Sequence, residues 1–314
     1  MKLSAAITAH IAHKRFLGMR FLAEQSRLKS FVRSVGDIEL DRITPDATWA
    51  YLVGRGLMNF HGYNKFAMLK SFYRFVLARG YASSSPLPKT IPKLSSTFIP
   101  YIYTQEELRR LFAATETLDR WWDPLRVVTF RTLLILLYGA GLRIGEALRL
   151  TVADVNLTDG LLTIRDSKFY KTRLVPVTPQ LADVLRAYFR RRRLWHRPIR
   201  GNSSFFATSK KAAVSTSQAE VIFGELRIHA GLYHPERGRP QPRLHDLRHT
   251  SAVHRLIAWY RNGKDVQTLL PYLATYLGHR DLSGTQCYLS MTPELLDEVN
   301  RRFEGYALSE VNHV

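Results

Sequence analysis

The chain has 314 residues, an apolar share of 46% and a formal charge of +20, from 46 Lys and Arg against 26 Asp and Glu. That share is enough for a sizeable core, the length suits about two domains, and the charge points to a polyanion, nucleic acid before a membrane surface. The single cysteine, Cys287, excludes an internal disulfide and a cysteine-built zinc cage, and the N-terminal "MKLSAAITAHIAHK" lacks the apolar run of a signal peptide, so a cytoplasmic location is expected.

Along residues 1–81, "FLAEQSRLKSFVRSV" and "YNKFAMLKSFYRFVLARG" place apolar side chains three and four apart, the spacing of amphipathic helices. Gly80 is a helix stop, and Lys and Arg fill the polar faces. Residues 82–100 ("ASSSPLPKTIPKLSSTFIP") are rich in Pro and Ser, as an extended linker between domains is.

A second domain is expected over 101–303, with a tail at 304–314. Thr104 and Glu107 form a capping box ahead of an apolar run. A helix follows over Thr129 to Tyr138. "TLLILLYGAGL" is about half the ~20 residues a membrane span needs, so it reads as buried. "LLTIRD" and "RLVPVT" read as strands of a hairpin turned by "SKFYKT". Thr178 and Pro179 open a helix ending in "RAYFRRRRLWHRP". "LHDLRHTSAVHRLIAWY" is helical, and "TPELLDEVNRRF" is a last helix with Leu295, Leu296, Val299 and Phe303 on one face. The expected architecture is mainly α with a small antiparallel sheet, in two domains.

The sequence has no P-loop, no Rossmann glycine fingerprint and no Cys/His metal cluster. Chemistry on phosphodiesters would therefore fall to cationic side chains. Arginine suits a pair of non-bridging oxygens because its planar fork binds both. Arg143 follows two glycines that let the backbone turn sharply. Lys168 sits in the hairpin turn. His245 and Arg248 lie three apart on one helical face. His279 follows Gly278, and Tyr288 lies nine residues on. Each alone reads as ordinary structure: a solvated arginine, a core tyrosine, a small apolar packing residue at Cys287, an exposed basic face at Arg190, Arg191, Arg192 and Arg193. Their order and spacing together say more.

"TLLILLYGAGLRIGEALRL", "IRDSKFYKTRLVPV", "LHDLRHT" and "LGHRDLSGTQCY" resemble, in order, the first arginine box, the lysine hairpin, the H-x-x-R box and the closing histidine–tyrosine box of the tyrosine recombinases, the phage-integrase family. The resemblance covers roughly residues 104 to 303, with a helical DNA-clamping domain ahead of it. It implies a site-specific recombinase, of integrase or transposase type, that cuts DNA through a 3′-phosphotyrosyl intermediate and exchanges strands through a Holliday junction. Tyr288 would be the nucleophile. Arg143 and Arg248 would hold the non-bridging oxygens, with His245 and His279 donating hydrogen bonds. His245 would also accept the tyrosine proton, Lys168 would protonate the leaving oxygen, and Glu146 would support the site. The lysine turn carries no glycine here, so Lys171 competes with Lys168. Lys171, Arg173 and the arginines at 190–193 are expected on the DNA.

The resemblance further implies no metal or nucleotide cofactor, a double-stranded DNA site and no membrane. Four copies would work on paired sites, exchanging C-terminal helices, with partner recombinases or accessory proteins as further partners. Two other readings remain at this point: DNA relaxation of the type IB topoisomerase kind, and a DNA-binding accessory protein without catalysis.

Overall fold

In a computed structural model, the structure describes residues 1–19, 21–92, 100–118, 123–165, 172–195, 198–210, 212–236, 241–279, 281–290 and 297. The chain divides into two compact units, Met1–Phe98 and Ile99–Val314.

The first unit is helical. Helices α1 (Leu3–Phe16), α2 (Leu22–Val35), α3 (Pro45–Val53) and α4 (Phe60–Ala78) bury Leu3, Leu28, Phe31, Leu69, Phe72 and Val76 in one core. Local chemistry sets their starts. Thr44 accepts from the Ala47 amide ahead of Pro45, and Asn59 accepts from the Gly62 amide; each satisfies an otherwise orphaned N–H. The start of the Pro- and Ser-rich stretch belongs to this unit. Ala82 is buried in its core, and the Ser83 amide and hydroxyl both donate to Asp41 at 2.9 Å.

The second unit opens with α5 (Gln105–Ala113), whose Thr104–Glu107 capping box is formed in both directions. Then come α6 (Arg126–Gly139), α7 (Ile144–Arg149), strands β1 (Val155–Asn156), β2 (Leu161–Ile164) and β3 (Arg173–Pro176), α8 (Pro179–Trp195), α9 (Thr216–His229), α10 (Asp246–Arg261), α11 (Val266–Leu277) and α12 (Ser283–Gln286), followed by a 3-10 turn over Cys287–Ser290. The sheet is antiparallel in the order β1-β2-β3. Its register pairs Leu162 with Val175 and Ile164 with Arg173. Leu162, Ile164 and Val175 are buried in the main core with α6, α8 and α9, as the period of two requires.

The α8 arginines divide by helical position. Leu181, Leu185, Tyr188 and Arg192 share the inner face, as residues three and four apart do. Arg192 is 3% exposed and donates to the Phe205 carbonyl at 2.9 Å. It is therefore not part of the exposed basic face expected for 190–193; Arg190, Arg191 and Arg193 are exposed. The expected last helix lies outside the described residues apart from Asp297, and the 304–314 tail lies wholly outside them.

Candidate active site

The site forms where four chain segments meet the C-terminal end of α11. A helix leaves its last carbonyls without internal donors and carries a partial negative charge there. Three arginines fill those positions. Arg173 Nε donates to the Tyr276 carbonyl at 3.1 Å, Arg248 Nη2 to that of Leu277 at 2.7 Å, and Arg143 Nη2 to that of Gly278 at 3.1 Å. Three guanidinium groups from β3, α10 and the α6–α7 turn thus gather at one helix end.

Two glycines make this possible. Gly141 turns the chain out of α6 at φ +59, and an added Cβ would come within 2.7 Å of Leu277 Cδ2. The Gly141 carbonyl accepts from Arg248 Nη1 at 2.6 Å. Gly278 ends α11 in the left-handed conformation at φ +70, and a Cβ there would stand 2.7 Å from the Arg173 guanidinium. Only glycine combines that backbone with that approach.

Glu146, 4% exposed, ties two of the arginines together. Its carboxylate accepts from Arg143 Nη1 at 2.8 Å, the Arg143 amide at 3.1 Å, and Arg173 Nη1 and Nη2 at 3.1 and 2.9 Å. Burial alone would raise its pKa, but the bonds and charges of Arg173 and Arg143 outweigh it and bring the carboxyl down to about 2. Arg248, 2% exposed, is lowered to about 10 by burial and then by Arg143, so it stays charged at neutral pH.

The Tyr288 ring is 2% exposed. It packs among Ala252, Val253 and Leu256 of α10 and Val266, Leu270, Leu273 and Leu277 of α11. Its hydroxyl leaves that apolar bed. It lies 3.1 Å from His249 Nδ1 and within the field of the Arg248 guanidinium. Burial raises the phenol pKa, while Arg248 and Arg143 oppose the rise. The His279 ring stacks on Tyr288 at 6.0 Å between centroids, and its Nδ1 lies 2.6 Å from Thr285 Oγ1. His279 is lowered to about 4 by burial, then by Arg248 and Arg143. It is therefore neutral at pH 7, with one N–H to give.

Of the expected residues, Arg143, Glu146, Arg248, His279 and Tyr288 meet here. His245 stands at the start of α10, its ring edge-on to His249 at 4.9 Å. Lys168 and Lys171 lie outside the described residues; β2 ends before them at Ile164 and β3 begins after them at Arg173. Arg173 differs from its expected place on DNA. Its side chain is 11% exposed and spends its donors on Glu146 and Tyr276. Cys287 also differs: it is exposed, its thiol meeting the Gly284 carbonyl. In a 3-10 turn one residue's rotation of about 120° turns it away from the face that Tyr288 buries. Sequence reasoning passed over His249, although it directly follows Arg248.

The sequence profile described as the phage integrase family matches residues 102–294. A putative integrase/recombinase, y4rB, of Sinorhizobium fredii is 34% identical over 95% of this chain and 96% of its own. The tyrosine recombinase XerC of Chlorobaculum parvum is 31% identical over 79% of this chain and 74% of its own. The Tn1549 transposon integrase, solved with transposon right end DNA, is similar in fold: TM-score 0.69, 14% identity, 98% of this chain and 100% of that one. On the profile match and these identities, this chain belongs to the phage integrase family, the tyrosine-type site-specific recombinases that break and rejoin DNA.

Proposed function

We propose that the chain cuts one DNA strand at a time by attack of Tyr288 Oη on the scissile phosphorus. The Oη–P bond forms as the P–O5′ bond breaks, leaving a 3′-phosphotyrosyl link and a 5′-hydroxyl. The observation that carries this reading is the placement of the Tyr288 hydroxyl against Arg248, in a cluster that also holds Arg143 and His279. Arg143 and Arg248 bind the non-bridging oxygens and stabilise the charge that builds on them. With Thr285 donating to His279 Nδ1, the Nε2–H of His279 is left to donate to the same phosphate, and His245 adds a second imidazole donor. Lys168 or Lys171, in the segment joining β2 to β3, supplies the proton for the 5′-oxygen. A phenolate is a good enough leaving group for the 5′-hydroxyl of another strand to displace it. The bond energy is thus conserved and strands rejoin without a nucleotide.

Four copies on two duplexes exchange two strands at a time through a Holliday junction. The segment after Ser290 reaches a neighbouring copy and couples one Tyr288 to the state of another. Arg190, Arg191 and Arg193 contact the DNA backbone. The working place is the cytoplasm, and the setting is a mobile element, for which the transposon integrase of like fold is the support. The test begins with nicked half-sites recovered from a random duplex pool by covalent capture. Paired sites made from them are assayed for recombination, beside a plasmid-relaxation control. Recombinant product that needs two sites supports the reading. Relaxation without any dependence on paired sites overturns it.

A further inference from the structure

We infer that His249 is a catalytic residue, the group that takes the proton from Tyr288 as it attacks phosphorus; this rests on the function proposed above. The geometry at the hydroxyl assigns the role. Tyr288 Oη has one proton and accepting lone pairs. Arg248, whose charge acts on Oη, has only donors, so it cannot accept the phenol proton. The other partner is His249 Nδ1 at 3.1 Å, within the reach a general base needs. His245, the expected acceptor, meets the edge of the His249 ring instead.

In the step, the O–H bond of Tyr288 breaks and its proton moves to His249 Nδ1, giving an imidazolium. The oxygen's electron pair forms the bond to phosphorus, and the P–O5′ pair leaves with the 5′-oxygen, which a lysine of the β2–β3 turn protonates. On rejoining, His249 returns the proton to Tyr288. The resting imidazole is ready to accept, because burial and then neighbouring charge lower its pKa to about 4. The groups facing it are His245, Asp246 and Arg248 on its own helix, Arg243 just before it, and Tyr288 and His279 from the closing segment. A bound phosphodiester places negative charge on Arg248 and Arg143. That offsets repulsion of a proton on His249 and makes it a stronger base only once DNA is docked.

The experiment measures adduct formation on a nicked half-site from pH 5 to 10 for the full-length chain, His249→Asn and His245→Ala. Asparagine keeps a hydrogen-bonding group near Nδ1 but takes no proton. We expect H249N to bind the half-site as the unaltered chain does, and to form adduct ~10²–10⁴-fold more slowly at pH 7. Its rate should climb about tenfold per pH unit, as hydroxide takes over ionisation of the phenol, while the unaltered chain stays nearly flat. H245A should keep the flat profile. An H249N rate within threefold of the unaltered chain overturns the inference, as does a slow rate with no pH dependence, which marks a merely structural role. Should H249N fail to bind DNA, His249→Ala assayed with added imidazole replaces it: a rate that rises with imidazole supports the role, and an insensitive rate overturns it. No adduct from the unaltered chain instead refutes the function on which the inference rests.

Discussion

Replacing Glu146 with Gln tests how the cation cluster is held. The amide keeps the shape but loses the charge, and it sets an NH2 group against the guanidinium donors of Arg143 or Arg173. The carboxyl sits at about 2 in the folded chain against an ordinary 4.5. At about 1.36 kcal/mol per pH unit, that difference is worth roughly 3 kcal/mol. An independent estimate, the ~3–5 kcal/mol lost when one member of a buried ion pair is removed, agrees at its lower end. The lower end is the appropriate one, because Arg143 is 31% exposed and regains water while Arg173, at 11%, regains little. The sign follows from the lowered pKa: the contribution is complete above about 4.5 and disappears as pH falls through about 2. Urea unfolding of the two chains should therefore differ by about 3 kcal/mol at pH 7 and by about half that at pH 3. A gap under ~1 kcal/mol, or one equal at both pH values, would refute the claim that this carboxylate holds the arginines in place.

Arg248→Ala removes the donor to the Gly141 and Leu277 carbonyls. It should lower stability by ~2–4 kcal/mol in denaturant titration and slow adduct formation by at least ~10²-fold. Gly278→Ala meets both a left-handed backbone and the Arg173 guanidinium, so it should cost ~2–3 kcal/mol and displace Arg173 from Glu146. Gly80→Ala is the control: it ends α4 at φ +65, with the Tyr81 amide closing back on the Val76 carbonyl and nothing within 4 Å of the added Cβ. It should cost only the backbone part, ~1–2 kcal/mol. Equal losses for the two glycines, read from urea midpoints, would remove Gly278 from the account.

Local signals in the sequence were legible where local chemistry decides. The Thr104–Glu107 capping box forms as the spacing requires, and the short apolar runs "LLTI" and "RLVP" form paired strands. A two-residue strand such as Val155–Asn156 is too short to show a period. The four boxes bring Arg143, Arg248, His279 and Tyr288 to one place, and their order carried that information. What the spacing withheld was set by contacts distant along the chain. Arg143 meets a carbonyl 135 residues away, and Arg248 one 107 residues away. Nothing near Arg173 announces that Glu146 and the end of α11 hold it, and nothing in "RRRR" marks Arg192 as the member facing Tyr188 and Phe205. His249 was passed over for a different reason: a histidine next to Arg248 reads as a neighbour of the site until the tyrosine hydroxyl is placed against it.

The most direct test maps the covalent complex. A trapped half-site adduct, digested and sequenced by mass spectrometry, should carry its nucleotide on Tyr288 through a 3′-phosphate, leaving a 5′-hydroxyl on the released strand. Tyr288→Phe should bind the same DNA and yield no adduct. Attachment to another residue, a link through a 5′-phosphate, or an undiminished adduct from Y288F would contradict the account.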